Sequence, residues 1–227
     1  MWFSSPYHLT RNAKPDTFNF KNLTTPVLLL TEIMYNPPVS YFWHALQAER
    51  LQLEAHENYI KQSYRNRCHV LTAQGVQPLS VPVVKGNSQV KTLITQIEID
   101  YSQKWQQVHW RTIQAAYGRA PYFEFYSDYL KAVYDQQHKF LFELNVDLLK
   151  LYLKLLKLNR NVDFTAFYQV EAPSSVHDMR NRIHPKIYPD NLHVKPYMQV
   201  FGKQFVPELS IIDLLFTQGP ASLSYLQ

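Results

Sequence analysis

The stretch from Glu54 to His69 gathers three cations (Lys61, Arg65 and Arg67), the carboxylates Glu54 and Glu57, the amides Asn58 and Asn66, and the phenols Tyr59 and Tyr64. From Tyr59 to His69 no acid interrupts the cations. Arginine holds phosphate or carboxylate through two parallel hydrogen bonds, lysine adds a point charge, and tyrosine stacks on a ring while donating its hydroxyl. In an extended segment, alternation sends Tyr59, Lys61, Ser63, Arg65 and Arg67 to one side, a strongly cationic face, and Ile60, Gln62, Tyr64, Asn66 and Cys68 to the other. A small anionic substrate such as a nucleotide-sugar fits that face. The competing reading spends the same cations on Glu54, Glu57 or Asp100 as structural ion pairs.

Glu54 and Glu57 flank His56, and Glu32 at the end of an earlier apolar run can join them in space, which suits proton transfer. Glu32 and Glu57 are therefore the candidate catalytic bases. Asn58, Tyr59, Lys61, Tyr64, Arg65, Asn66 and Arg67 are the candidate substrate-binding residues. A Glu-x-x-Glu pair is more often ion-pair structure than a metal site, and no His-Glu-x-x-His motif accompanies it; no metal ligand and no cofactor are assigned. Cys68 beside His69 invites a nucleophile, but adjacent strand residues face opposite ways, so a buried structural cysteine is expected. His109, near Trp105 and Trp110, reads as a satisfied core histidine.

The elements that must position these groups start at Val27-Leu-Leu-Leu-Thr-Glu-Ile-Met34, an apolar run bounded by Pro26 and Pro37-Pro38 that reads as a buried strand. A helix from Ser40, with Tyr41, Phe42, Ala45 and Leu46 apolar, and a second strand from Leu51 follow it. Arg67 to Thr72 and Pro78 to Val84 flank Gly75 as a β-hairpin. Thr95 to Asp100 alternates as a further strand.

Beyond it, Gln103 to Tyr117 reads as a helix stopped at Gly118, with a new start admitted after Pro121. A long helix is expected from about Gln136 to Leu158, with Lys150, Lys154 and Lys157 on one face. That stripe marks the wet edge of a core or oligomer-interface helix in preference to a membrane-surface helix. Asn161 to Val170 suits a late strand, residues 171–197 an irregular loop, and Ser210 the start of a closing helix ended by Gly219-Pro220.

Composition sets the class. The 227 residues are 46% hydrophobic and 18% charged, too apolar for a disordered chain. A formal net charge of +5 favours anionic partners without requiring nucleic acid. Five glycines leave no phosphate-cradling loop of the P-loop or dinucleotide type. A single cysteine excludes an intramolecular disulfide, and the Met1-Trp-Phe-Ser-Ser-Pro start lacks the pattern of a secretory signal, so a reducing cytoplasm is expected. No apolar run reaches the ~20 residues of a spanning helix. We expect an N-terminal extension over 1–25 and one α/β domain over 26–227, with a central sheet mainly from the N-terminal half, covering helices and a helix-rich C-terminal half.

The block Tyr59, Lys61, Tyr64, Asn66, Arg67 resembles the Tyr-x-Lys-x-x-Tyr-x-Asn-Arg block of the WbqC-like family. The Ala-Tyr-x-x-x-Pro-Tyr-Phe pattern ending at Phe123 and the run Leu209 to Phe216 are similar to that family as well. The resemblance implies a role in surface-polysaccharide or O-antigen biosynthesis, as a transferase moving an acyl or glycyl group to an amino sugar carried on a nucleotide. The chain departs from the family at Thr31-Glu-Ile-Met-Tyr-Asn-Pro-Pro38, where many members have a His-Gln-Pro-x-Tyr-x-Pro-like loop; without a counterpart of that histidine the chain either uses another residue, with Glu32 the candidate, or has an altered activity. Two other readings stand beside it: a non-catalytic ligand-binding or assembly protein, including a homo-oligomer built on the Lys150 helix, and the disfavoured nucleic-acid binder using Tyr59 to Arg67.

Overall fold

The computed structural model describes residues 27–84, 91–186 and 194–227. The extension expected over 1–25 lies outside them. The main sheet has four parallel strands in the order β5-β2-β1-β6, where β1 is Leu28–Thr31, β2 Arg50–Leu53, β5 Asn161–Phe164 and β6 Val176–Asp178. A separate antiparallel hairpin joins β3, Arg67–Thr72, to β4, Gly75–Ser80. The α/β class expected from the sequence is the one found, and four of the six strands precede residue 81.

β1 is an interior strand, between β2 and β6, and its run of leucines matches the near-continuous apolar character of parallel strands covered on both faces. Helix α1, Val39–Gln47, returns the chain to β2 and buries Val39, Tyr41, Phe42 and Ala45. Helices α2, Trp105–Tyr117, and α3, Phe123–Tyr134, follow, then α4, Leu141–Leu155, and α5, Ile211–Gln218, started by Ser210 accepting from the Ile212 amide. A last turn of helix, α6, Ser222–Tyr225, ends the fold. Gly219 links α5 to that turn at φ +53 with the Tyr122 ring 2.4 Å from where a Cβ would sit, so only glycine fits.

Several expectations need correction. Thr95 to Asp100 is a 3-10 turn, Ile94–Gln96, followed by single bridges to Val83 and Phe140; the alternation there records Ile97 and Ile99 entering the core without a ladder. The long helix begins at Leu141, because Glu143 reaches back to the Phe140 amide and closes the first turn there. Residues 171–197 are not wholly irregular, since Val176–Asp178 adds to β1. Most consequentially, Lys61 to Asn66 is a succession of turns and not an extended segment. Gln62 takes φ +58, Ser63 accepts from the Arg65 amide, and parity is lost.

The loop from Glu32 to Pro38 is buried throughout, which is unusual for a connection. Its polar groups find partners inside: the Tyr35 amide donates to the Tyr64 carbonyl, and the Tyr35 hydroxyl meets His109 Nδ1 at 2.8 Å and the Tyr134 hydroxyl. Asn36, held at φ +42, donates to the Tyr134 hydroxyl at 2.9 Å and to Cys68 Sγ, and accepts from the Tyr152 hydroxyl. Replacing Asn36 by Ala strands buried hydroxyls and leaves a left-handed residue without its side-chain bonds, so we expect a loss of about 2–4 kcal/mol in urea unfolding. A loss below about 1 kcal/mol would mean that water repairs the network.

Candidate active site

Register places acids at the carboxyl ends of the parallel strands. Thr31 pairs with Leu53 and Leu53 with Phe164, so the next residues of β1, β2 and β5 are Glu32, Glu54 and Thr165. β1 leads to β2 and then β5 on one side, whereas β6 adds on the other. The connection direction therefore reverses between β1 and β6, and the crevice outside such a reversal is where open α/β sheets bind ligands. Glu32 and the residues after β6 line that point.

Arg65, 2% exposed, is the centre of the cluster. Its Nε donates to Glu57 Oε1 at 2.7 Å and its Nη2 to Glu57 Oε2, a forked pair. Nη2 also reaches Asn181 Oδ1 at 2.9 Å, while Nη1 stands 3.7 Å from Glu32 Oε1, an ion-pair distance too long for a hydrogen bond. Glu32 accepts from the Asn181 amide at 3.0 Å. Burial raises both carboxyls; Glu57 has the forked bonds of Arg65 to oppose it, whereas Glu32 has the more distant Arg65 charge and backbone amide hydrogen bonds, its own and that of Asn181. The Glu32 carboxyl is accordingly pushed up to about 7, with Arg65 lowering it and Glu57 raising it.

A second arginine sits beside the first. Arg180 holds Asp178 with Nε and Nη2 and Glu54 Oε2 with Nη1 at 2.9 Å, and its guanidinium lies over the Tyr168 ring at 5.1 Å. Glu54 Oε1 accepts from the Thr165 hydroxyl and the His56 amide. Glu57 feels both Glu54 and Arg180, so the two units form one electrostatic cluster. Four carboxyls, Glu32, Glu54, Glu57 and Asp178, face two guanidiniums, and a positively charged or amine-bearing group suits the remainder better than another anion. The Tyr41 hydroxyl is buried within electrostatic reach of Glu32 and has no hydrogen-bond partner among the described residues.

Only some of the residues to which the sequence points meet in the fold. Glu32, Glu57 and Arg65 come together. Asn58 and Lys61 are exposed, and Tyr64 is buried with its ring against His69. Asn66 donates to the Val81 carbonyl while its Oδ1 is unpartnered among the described residues, and Arg67 donates from Nε to Ser80 Oγ. Half-buried Tyr59, its hydroxyl pushed up to about 12 by burial, feels the charges of both Arg65 and Arg67 and so connects the cluster to the surface. The single cationic face is not formed, because Arg65 turns inward and Lys61 outward. Cys68 is buried with its thiol pushed up to about 12, and burial holds His109 down to about 4. Tyr41, Asp178, Arg180 and Asn181 were not singled out; the last three sit in a proline-rich stretch whose only sequence signal is its acid and arginine spacing.

A family model described as the WbqC-like protein family matches residues 34–188 and 181–225. The uncharacterized protein Rv1507c of Mycobacterium tuberculosis (strain ATCC 25618 / H37Rv) is 28% identical over 197 residues, covering 74% of this chain and 84% of that protein. No solved structure matches the chain.

Replacing Arg65 by Ala leaves the Glu57 and Glu32 carboxyls buried without their cation. We expect a loss of about 3–5 kcal/mol at pH 8 in thermal and urea unfolding. The loss should shrink toward pH 5, where the orphaned carboxyls take up protons. A loss that does not depend on pH would point to packing as the origin.

Proposed function

The chain belongs to the WbqC-like protein family, and on that premise we propose a transferase of surface-polysaccharide biosynthesis that moves an acyl or glycyl group to the amine of an amino sugar carried on a nucleotide. The observation that carries this reading is Glu32, a buried carboxyl with a proton affinity near neutrality at the reversal point of a parallel sheet. A general base works best when its pKa lies near the operating pH. The acid-rich balance around it favours an amine as the group that enters.

In the proposed reaction the amine nitrogen attacks the carbonyl carbon of the acyl donor, forming the C–N bond. Ionised Glu32 takes the proton that the nitrogen sheds. The bond from that carbon to the leaving group breaks with its electron pair, and the proton on Glu32 passes to the leaving group. Arg65 and Glu57 keep Glu32 placed, and Asn181 fixes one of its oxygens. Arg67 and exposed Lys61, at the surface beside Tyr59, are the groups we assign to the nucleotide phosphates; Asn58 and Asn66 orient polar groups there. The single buried cysteine supports a reducing, cytoplasmic setting. Among the described residues, no helix is long and apolar enough to cross a membrane.

Glu32→Gln separates chemistry from stability. Incubation with amino-sugar nucleotides and activated acyl donors, read by the mass gained on the sugar, should give product with the wild type and none with the variant. The wild-type kcat/KM should rise through about pH 7 as Glu32 ionises. The variant should retain nucleotide-sugar affinity, and turnover by the variant at the wild-type rate would remove Glu32 as the base. Stability moves in the opposite sense. A carboxyl whose folded pKa is raised binds its proton more tightly in the native state, so wild-type stability falls as pH climbs from about 4.5 through about 7. Glutamine cannot ionise, and at pH 8 the variant should be the more stable by up to about 3 kcal/mol.

A further inference from the structure

A second concavity lies at the other edge of the sheet. The end of α4, the turn after it and the first residues of β5 border an open cleft of about 470 Å³, a volume within the usual range for small-ligand pockets. Leu153, Leu158 and Val162 form its apolar part, and Lys150, Lys154, Lys157 and Arg160 line it without an acid. The three lysines are exposed, and none pairs with a carboxylate among the described residues. The neighbouring acids are committed elsewhere: Asp147 to His138 at 2.9 Å and Asp163 to Arg50 at 2.7 Å. Arg160 donates to the carbonyls of Ala45, Leu46 and Asn159 and is thereby a fixed positive charge at the cleft wall.

A solvated helical stripe would account for Lys150 and Lys154, which lie one turn apart on α4. Lys157 is different, because it lies beyond the helix. Its amide donates to the Lys154 carbonyl and the Leu158 amide to the Leu153 carbonyl, the bonding of a Schellman turn, with Lys157 at the left-handed position and φ +57. Glycine is the usual occupant there, since any Cβ is disfavoured in that conformation. The turn, and not helical periodicity, delivers the third ammonium to the cleft. Residues kept in disfavoured conformations concentrate at functional sites.

We infer that this cleft is a binding site for a phosphate-bearing ligand with more than one negative charge. The inference does not depend on the transfer reaction, which lies at the opposite edge of the sheet. Lysine ammoniums bind phosphate as point charges, the Asn159 and Asn161 side chains offer amide donors at the rim, and the leucines and Val162 accommodate an apolar portion of the ligand. The same chemistry describes a free diphosphate and a phospholipid headgroup.

The test titrates the full chain at low salt with inorganic pyrophosphate and with a nucleoside diphosphate by calorimetry, and separately by co-sedimentation with phosphatidylcholine vesicles made with or without phosphatidylglycerol. Wild-type protein should bind in one arm or both, more weakly as salt rises. Binding in solution assigns a free phosphate ligand; binding only to phosphatidylglycerol vesicles assigns a lipid phosphate. Lys157→Gly should weaken that binding about tenfold while leaving the melting temperature equal or higher, since glycine suits the turn. Lys154→Ala, at an exposed helical position where alanine is favourable, should weaken it similarly without unfolding the protein. The inference is overturned if wild-type protein binds neither probe, or if both variants bind as tightly as wild type.

Discussion

The candidate site depends on one guanidinium serving two buried carboxyls. Arg65 cannot give equal partners to both, because its forked edge is used by Glu57 and only Nη1 is left toward Glu32. The asymmetry divides the labour: one carboxylate compensates the arginine, and the other keeps a proton affinity near neutrality. A second arginine aimed at Glu32 would lower its pKa into the ordinary acid range and make it unsuited to the proposed role of base. Loss of the first would leave two uncompensated charges where burial is nearly complete. The arrangement therefore carries a cost in folding free energy that must be offset elsewhere.

The offset is visible in the loop that carries Glu32. A buried connection has backbone and side-chain polar groups that water cannot reach, and each needs a partner. Tyr35 and Asn36 find theirs on α2, α3, α4 and β3, so four elements hold one loop. The network is made of neutral groups: desolvation raises the phenols and the Cys68 thiol and lowers His109, all toward their uncharged forms. A neutral scaffold beneath a charged cluster leaves Arg65 and Arg180 as the dominant local fields. Glu208, beside Ser40, is likewise raised by burial to about 7, adding to the loss of stability at alkaline pH.

Much of the frame was legible because it is local. The leucine run of β1, the apolar face of α1, the hairpin around residues 73–75 and the Ser210 cap each announce themselves within a few residues. The acids at strand ends followed from placing β1 and β2 correctly, and Glu32 joined Glu57 as the sequence suggested. The failures are long-range. β6 has three residues, one of them a buried histidine, and exists by pairing with β1 across nearly 150 positions, so no window of sequence reports it. With it went Asp178, Arg180 and Asn181. The facing of Arg65 was misread for a different reason: one left-handed residue, Gln62, and the Ser63 turn reset the parity on which strand alternation relies.

The two edges of the sheet carry opposite balances, and helix ends account for only part of this. At the amino edge the last turns of α1 and α4 come together, and each helix C-terminus brings roughly half a negative charge. Arg160 answers the α1 carbonyls directly, and the Schellman amides satisfy those of α4. Two helix ends therefore ask for about one positive charge, whereas four cations line the cleft. The surplus is larger than the fold requires. At the carboxyl edge the surplus is acidic, with four carboxyls to two guanidiniums, and it is buried where solvent screens it least. An amine entering one edge and a phosphate held at the other would each neutralise a charge that folding left uncompensated.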